Sequence, residues 1–206
     1  MLVSRLRFLP LLALTMFLAS CAAGSWETSY HDVIDPKMAR GWRVVDVDVT
    51  VPRSLTVSEA NSFAPNADIV WRGDPPGDRY EQIDKILTNA LKKGVSGLKG
   101  PRPVRLLVTV QQFHAVTEKT RRVLSNAGVH NITFTAQIVD AKTGEPLSPV
   151  DTIKADLVAF SGEQALAAER EGQTQKVRIT NHVARVIAGW LGIGPDIRGT
   201  FTRAGR

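Results

Sequence analysis

The strongest constraint on the fold is a two-residue alternation of apolar and polar side chains, repeated in four segments. The first spans residues 43–51 and places four valines on one face of a strand: Val45, Val47, Val49 and Val51. Three more follow at residues 104–113, 132–138 and 153–159. Alternation rich in β-branched residues is typical of strands that are buried on one face. Turn residues between the last three segments predict an antiparallel meander.

Three helices are predicted between and after these strands. Residues 79–93 show a helical apolar period, and Asp78 and Glu81 form a variant of the capping box before it. A short helix at 163–170 and a longer one at 173–191 follow. With a short strand at 68–72, the order is β-β-α-β-β-β-α-α. This order predicts an α+β fold, in which helices pack on one face of a mostly antiparallel sheet of about five strands.

The start of the chain has the layout of an export signal. Two arginines precede an apolar run at residues 8–19, which is shorter than the roughly 20 residues of a membrane-spanning helix. The run ends in Leu18-Ala19-Ser20-Cys21, which resembles the lipobox of bacterial lipoproteins. The resemblance implies that residues 1–20 are a cleaved signal peptide and that Cys21 is the site of lipid attachment. Because Ala22 follows instead of aspartate, it also implies the outer membrane, facing the periplasm, within the cell envelope.

The remaining chain is predicted to form one folded unit between two flexible segments. We predict a lipidated tether over residues 21–40, a single α+β periplasmic domain over 41–193 and a disordered basic tail over 194–206. Cys21 is the only cysteine, so no internal disulfide can stabilise the domain. An ordinary apolar core must do so.

The order of elements also resembles the auxiliary lipoproteins of ABC-type lipid or solvent transport systems. The likeness covers residues 18–192 and is carried in detail by the lipobox, by Ile69-Val70-Trp71 before a Pro-rich turn, and by residues 138–144. Residues 53–67 and 114–128 have no counterpart in that family, which leaves a sister group open. The resemblance implies an accessory subunit that binds a partner protein or lipid in membrane transport or maintenance. The alternative is a lipoprotein subunit of an outer-membrane secretion or surface-assembly complex.

No motif for catalysis or metal binding is found. The four histidines are outside the known hydrolase and metalloprotease motifs, and are interpreted as ordinary surface or strand-end residues: His31, His114, His130 and His182. His114 and His130 flank one loop and could form a two-ligand metal site, but no third ligand is evident. We therefore predict no enzyme activity, no cofactor and no metal.

The net charge of +6 raises the question of a negatively charged partner. Since an exported protein rarely meets nucleic acid, none is predicted, and anionic lipid headgroups are the favoured counter-charge. Candidate contacts to a partner or lipid are one tryptophan and a basic rim: Trp71, Lys92, Lys93, Lys99, Arg102, Arg121 and Arg122. The alternatives are that the basic residues are merely solvated and that Trp71 packs in the core.

Overall fold

A computed structural model describes residues 23–204, which form eight strands and five helices. The strands are β1 (Ala23–Ser29), β2 (Trp42–Thr50), β3 (Ile69–Val70), β4 (Arg102–His114), β5 (Val129–Asp140), β6 (Asp151–Ala155), β7 (Leu157–Val158) and β8 (Gly199–Ala204). The helices are α1 (Pro36–Arg40), α2 (Arg79–Gly94), α3 (Glu118–Val123), α4 (Glu163–Arg170) and α5 (Gln175–Trp190). The predicted α+β class is confirmed.

The strands form one mixed, open sheet in the order β2-β4-β5-β6-β1-β8, with β3 beside β4 and β7 beside β5. The predicted meander is present, because β4, β5 and β6 are antiparallel neighbours. The predicted number of about five strands is wrong, and β2 and β3 run parallel to β4. The parallel pairs arise because α2 carries the chain back along the sheet, and a helical crossover returns the next strand in the same direction.

The sheet has two ends. At the proximal end β1 and β5 begin and β4 ends, whereas at the distal end β2 and β4 begin and β5 ends. Because β4 has 13 residues and a strand rises about 3.3 Å per residue, roughly 40 Å separates the two ends.

Residues 23–40 and 194–204 are ordered, which corrects two predictions. β1 and β8 pair from Ala23↔Ala204 to Thr28↔Gly199, and β1 also pairs with β6. The tether predicted for residues 21–40 therefore contains a strand and, at 36–40, a helix. The tail predicted for 194–206 contains β8. Neither β1 nor β8 has the apolar alternation of the predicted strands, and each is ordered by pairing with the other across the sequence.

Helices α2 and α5 cover one face of the sheet. Their buried apolar residues are Ile83, Ile86, Leu87, Ala90 and Leu91 of α2, and Ile179, Val183, Val186, Ile187 and Trp190 of α5. The two helices approach closely at Gly94, where a β-carbon would lie 2.6 Å from the Ala184 carbonyl oxygen. The other sheet face carries polar side chains, including Thr109, Gln111 and Thr135.

A bulge in β2 corrects the predicted valine face. The register of β2 on β4 shifts between Val44 and Asp46, which leaves Val45 unpaired. Val45 is 52% exposed, whereas Val47 is buried. One extra residue in a strand reverses the side-chain alternation that precedes it, and nothing in the valine pattern indicates where it falls.

Candidate functional site

The predicted lipid-attachment residue, Cys21, lies outside the described residues, as does the predicted signal peptide. The described chain begins at Ala23, which pairs with Ala204 of β8. Only Ala22 stands between Cys21 and the first strand. The part of the chain that the structure describes contains no helix long and apolar enough to cross a bilayer.

Trp71, proposed as a contact residue, is fully buried in the core. Its ring meets Phe113 edge to face, with 5.7 Å between centroids, and its Nε1 donates to Asp74 Oδ2 at 2.9 Å. Lys176 also donates to Asp74, and these hydrogen bonds help to hold the pKa of the Asp74 carboxyl below its ordinary value despite the opposing effect of burial. The contact role is therefore wrong, and the alternative of core packing is correct.

The predicted basic rim is divided between the two ends of the sheet. At the distal end, Lys92 and Lys99 line a shallow cleft of about 340 Å³ together with Arg43. Lys93 is turned to the α5 side, where its Nζ donates to Asn181 Oδ1 at 2.7 Å. Arg102 pairs with Asp140 across the start of β4, at 3.0 Å.

The other members of the rim follow the end of β4, at the proximal end. Arg121 forms an ion pair with Glu169 of α4 at 2.7 Å, and Arg122 is exposed. Since roughly 40 Å of strand separates the two groups, the seven candidate contacts do not form one surface. The basic residues before and after β4 are near one another in sequence, but the length of that strand places them at opposite ends of the sheet.

An apolar cleft of about 330 Å³ opens at the distal end of the sheet. It is formed by the chain after β1, by α1, by the segment before β6 and by the end of α5, and its lining includes Val33, Ile34, Met38, Leu147, Val150 and Trp190. Met38 and Val150 are 47% and 60% exposed at its rim. A concave apolar site with a few polar groups is the usual form of a ligand-binding site.

Asp151 is the polar anchor of this cleft. Its carboxylate accepts hydrogen bonds from the backbone N–H of His31, at 3.1 and 3.2 Å, and from Trp190 Nε1 at 3.1 Å. These contacts join the chain after β1 to β6 and α5, so the carboxylate fixes the shape of the cleft. At the rim, Asp32 and Asp35 add two further carboxylates.

Sequence reasoning missed this cleft because half of it lies in the segment predicted as a tether. The available signal was Asp35-Pro36, an N-cap residue followed by proline at the first helical position, directly after Val33-Ile34. In the structure, the Asp35 side chain accepts from the backbone N–H of Lys37 and begins α1.

Three of the four histidines are buried, which the sequence did not indicate. Burial, with the charge of Arg178 nearby, lowers the pKa of His130 to about 3. Burial also lowers the pKa of His182 to about 4, and its Nε2 lies 3.2 Å from Thr28 Oγ1. His114 Nε2 lies 2.9 Å from the Pro65 carbonyl oxygen. Within residues 23–204, no group of three or more His, Cys, Asp or Glu side chains is placed to hold a metal ion.

A third cleft, of about 410 Å³ and polar, lies among β1, β4, β5 and β6. Burial raises the pKa of the Asp156 carboxyl at its edge above the ordinary value. This carboxyl accepts from Asn131 Nδ2 at 2.6 Å and from the backbone N–H of Glu27 at 3.2 Å. Asn131 belongs to β5 and Glu27 to β1. The carboxyl therefore links these two strands at the residue between β6 and β7. Lys154 and Glu27 form an ion pair at 2.6 Å beside it.

The chain belongs to the family described as "Family of unknown function (DUF6778)", whose model matches residues 42–206. No match was found among curated proteins.

Three solved structures show limited similarity. A predicted lipoprotein from Caulobacter crescentus CB15 is 20% identical, with a TM-score of 0.33, over 52% of this chain and 82% of that one. The PelC dodecamer from Paraburkholderia phytofirmans is 14% identical, with a TM-score of 0.35, over 80% and 96% of the two chains. A minor lipoprotein from Acinetobacter baumannii is 14% identical, with a TM-score of 0.30, over 69% and 88%. At these scores nothing about the function of this chain follows from the likeness.

Proposed function

We propose that this protein is a non-enzymatic lipoprotein of the bacterial envelope. It is anchored through acyl chains on Cys21, and serves as an accessory subunit in membrane transport or maintenance. The observation that carries the proposal is the lipobox-like Leu18-Ala19-Ser20-Cys21, placed immediately before the first strand of a folded domain. Two or more acyl chains, at about 0.8 kcal/mol per buried CH₂, are enough for stable anchoring.

The apolar cleft at the distal end is the proposed binding site for the partner or lipid. Met38 and Val150 present apolar surface at its rim, while Asp151 holds its walls in place through His31 and Trp190. The cleft lies at the end of the sheet away from Ala23 and therefore away from Cys21. An anchored protein in this arrangement directs the cleft towards the periplasm, where a partner or a lipid in transit is accessible.

The test is purification of the full-length, acylated protein from mild detergent, with mass spectrometry of the proteins and lipids that co-elute. Val150→Glu places a charge in the cleft, and we expect it to abolish co-elution of the bound protein or lipid. Val177→Glu is the matched control: Val177 is also exposed, at 36%. It follows the α5 cap Thr174 by three residues, where glutamate completes a capping box.

Two results would contradict the proposal. If a protein or lipid still co-elutes with the Val150→Glu variant, the cleft is not the binding site. If the wild-type protein elutes without partner or lipid, it is not an accessory subunit. A Cys21→Ser variant identifies contacts that depend on anchoring.

The open edge of the sheet favours the alternative, a subunit of an outer-membrane secretion or surface-assembly complex. Among the strands of residues 23–204, β8 pairs with β1 alone, and an unpaired edge is a template for association between chains. Sedimentation of the detergent-solubilised protein separates the two functions. A large, discrete oligomer supports the assembly subunit, whereas a monomer supports the accessory protein.

A further inference from the structure

The start of β1 must lie close to the bilayer if Cys21 is acylated. Two Cα–Cα steps of 3.8 Å connect Cys21 to Ala23, so their Cα atoms are at most about 7.6 Å apart. Ala23 already pairs with Ala204 in the sheet. The linker between Cys21 and the folded domain is therefore too short to separate the domain from the membrane. The proximal end of the sheet is held at the lipid surface.

Helices α3 and α4 lie at this same end. The backbone N–H of Gly128 donates to the Ala204 carbonyl at 3.0 Å, and the N–H of Gly162, at the start of α4, donates to the Arg121 carbonyl at 2.7 Å. The first bond connects β8 with the loop after α3, and the second connects α3 with the start of α4. The surface of α3 and α4 therefore lies beside the point where β1 begins.

The exposed side chains of this region combine apolar and basic groups. Lys119, Arg122 and Val123 are spaced i, i+3 and i+4 and share one face of α3. Val123 is 64% exposed; Phe63 and Leu166, also at this end, are 42% and 50% exposed. The loop that carries Phe63 is fixed to α3, because Thr120 Oγ1 donates to the Phe63 carbonyl at 2.9 Å. We call these five residues the proximal surface.

The charges of the proximal surface fit lipid phosphates. Lys119 Nζ lies 4.5 Å from the centre of the Phe63 ring, and among the described residues neither Lys119 nor Arg122 has an acidic partner within salt-bridge distance. Two of the nearby acids are paired with other arginines, Glu118 with Arg72 and Glu169 with Arg121. Glu163 is the exposed acid at the start of α4.

We propose that the proximal surface rests on the bilayer, with Phe63, Val123 and Leu166 in contact with the lipid interface and Lys119 and Arg122 at the headgroup phosphates. Apolar side chains enter the headgroup region and cations pair with lipid phosphates in interfacial proteins. This orientation rests on the proposed acylation of Cys21, and it points the distal cleft away from the membrane.

The test uses two matched cysteine variants of the full-length, acylated protein. Val123→Cys lies on the proximal surface and Val150→Cys at the distal end, and the two valines are almost equally exposed, at 64% and 60%. Because Cys21 is the only native cysteine and is blocked by acylation, each new thiol takes a fluorescent label alone. The protein is reconstituted in phosphatidylethanolamine–phosphatidylglycerol vesicles that contain a lipid with a nitroxide quencher on its headgroup.

We expect the label at position 123 to be quenched several-fold more strongly than the label at position 150. Vesicle flotation and the mass of the Cys21 peptide report anchoring independently. Equal quenching at the two positions in an acylated protein that floats overturns the orientation and leaves the anchor intact. A protein that neither floats nor carries acyl chains overturns both the orientation and the proposed function.

Discussion

His130 lies in the core, and neither of its ring nitrogens has a hydrogen-bond partner among the described residues. Burial there lowers its pKa from 6.5 to about 3. Below pH 6.5 the unfolded chain takes up a proton at this site, whereas the folded protein does not until the pH nears 3. The free energy of unfolding therefore has its full value above pH 6.5 and falls as the pH drops, by about 1.4 kcal/mol per pH unit for this residue.

A His130→Leu variant is expected to lose this part of the acid sensitivity. At pH 5 the gain relative to the wild type is about 2 kcal/mol beyond any difference at neutral pH. Since no hydrogen bond is lost, the change at neutral pH is expected to be small. Urea unfolding at pH 7.5 and 5 measures the difference. His31→Leu, at an exposed site, is the control and should follow the wild type; a His130→Leu curve parallel to the wild type would contradict the prediction.

Trp71 shows how a single residue can be misassigned from sequence. A tryptophan before a Pro-rich turn fits both a partner anchor and a core residue, and only its contacts with Phe113 and Asp74 distinguish them. Trp71→Phe is expected to lower the free energy of unfolding by about 2 kcal/mol, because it removes part of a buried ring and one hydrogen bond. Urea denaturation measures this. Unchanged stability together with loss of a bound partner would restore the contact role.

At the scale of elements, the local sequence pattern was sufficient to predict the type and bounds of each amphipathic helix or strand. Helices α2, α4 and α5 and strands β2, β4 and β5 lie within a few residues of the predicted bounds, because each buries one face against the core. The distal cleft and the strands β1 and β8 were missed for the opposite reason. Their residues are ordered by contacts with distant parts of the chain, such as Trp26 Nε1 with the Arg203 carbonyl across 177 residues.

The pairing of β1 with β8 can be tested by removing β8. In a chain that ends at residue 198, the β1 amides that bond to β8 lose their acceptors, so amides in residues 24–28 should exchange with solvent faster by about tenfold or more. Hydrogen exchange with mass spectrometry measures this, and a chain that ends at Ala204 is the matched control. Equal exchange in the two chains would contradict the protection of β1 by β8, and equally fast exchange in both would restore the predicted tether.

At the scale of the whole molecule, the direction of β1 connects the anchor with the cleft. β1 begins at the proximal end and runs towards the distal end, and the chain that follows it reaches His31, on the wall of the cleft. A sequence pattern could place Cys21 and could favour an α+β domain, but not their relative orientation. That orientation depends on β1 joining the sheet between β6 and β8.

The anchor and the fold should nevertheless be energetically separable. The described core consists mainly of side chains from the sheet and from α2 and α5, and the only cysteine lies before it in sequence. A Cys21→Ser variant, exported with a signal peptide that is cleaved without lipid attachment, is therefore expected to move from the membrane fraction to the soluble fraction. Its Tm in the same detergent should stay within about 2 °C of the wild type, which corresponds to less than roughly 1 kcal/mol. Fractionation followed by thermal unfolding measures both. A variant that remains with membranes after a high-pH wash would indicate an attachment other than Cys21. A large fall in Tm would mean that acylation itself stabilises the domain, for example through contact between the proximal surface and lipid.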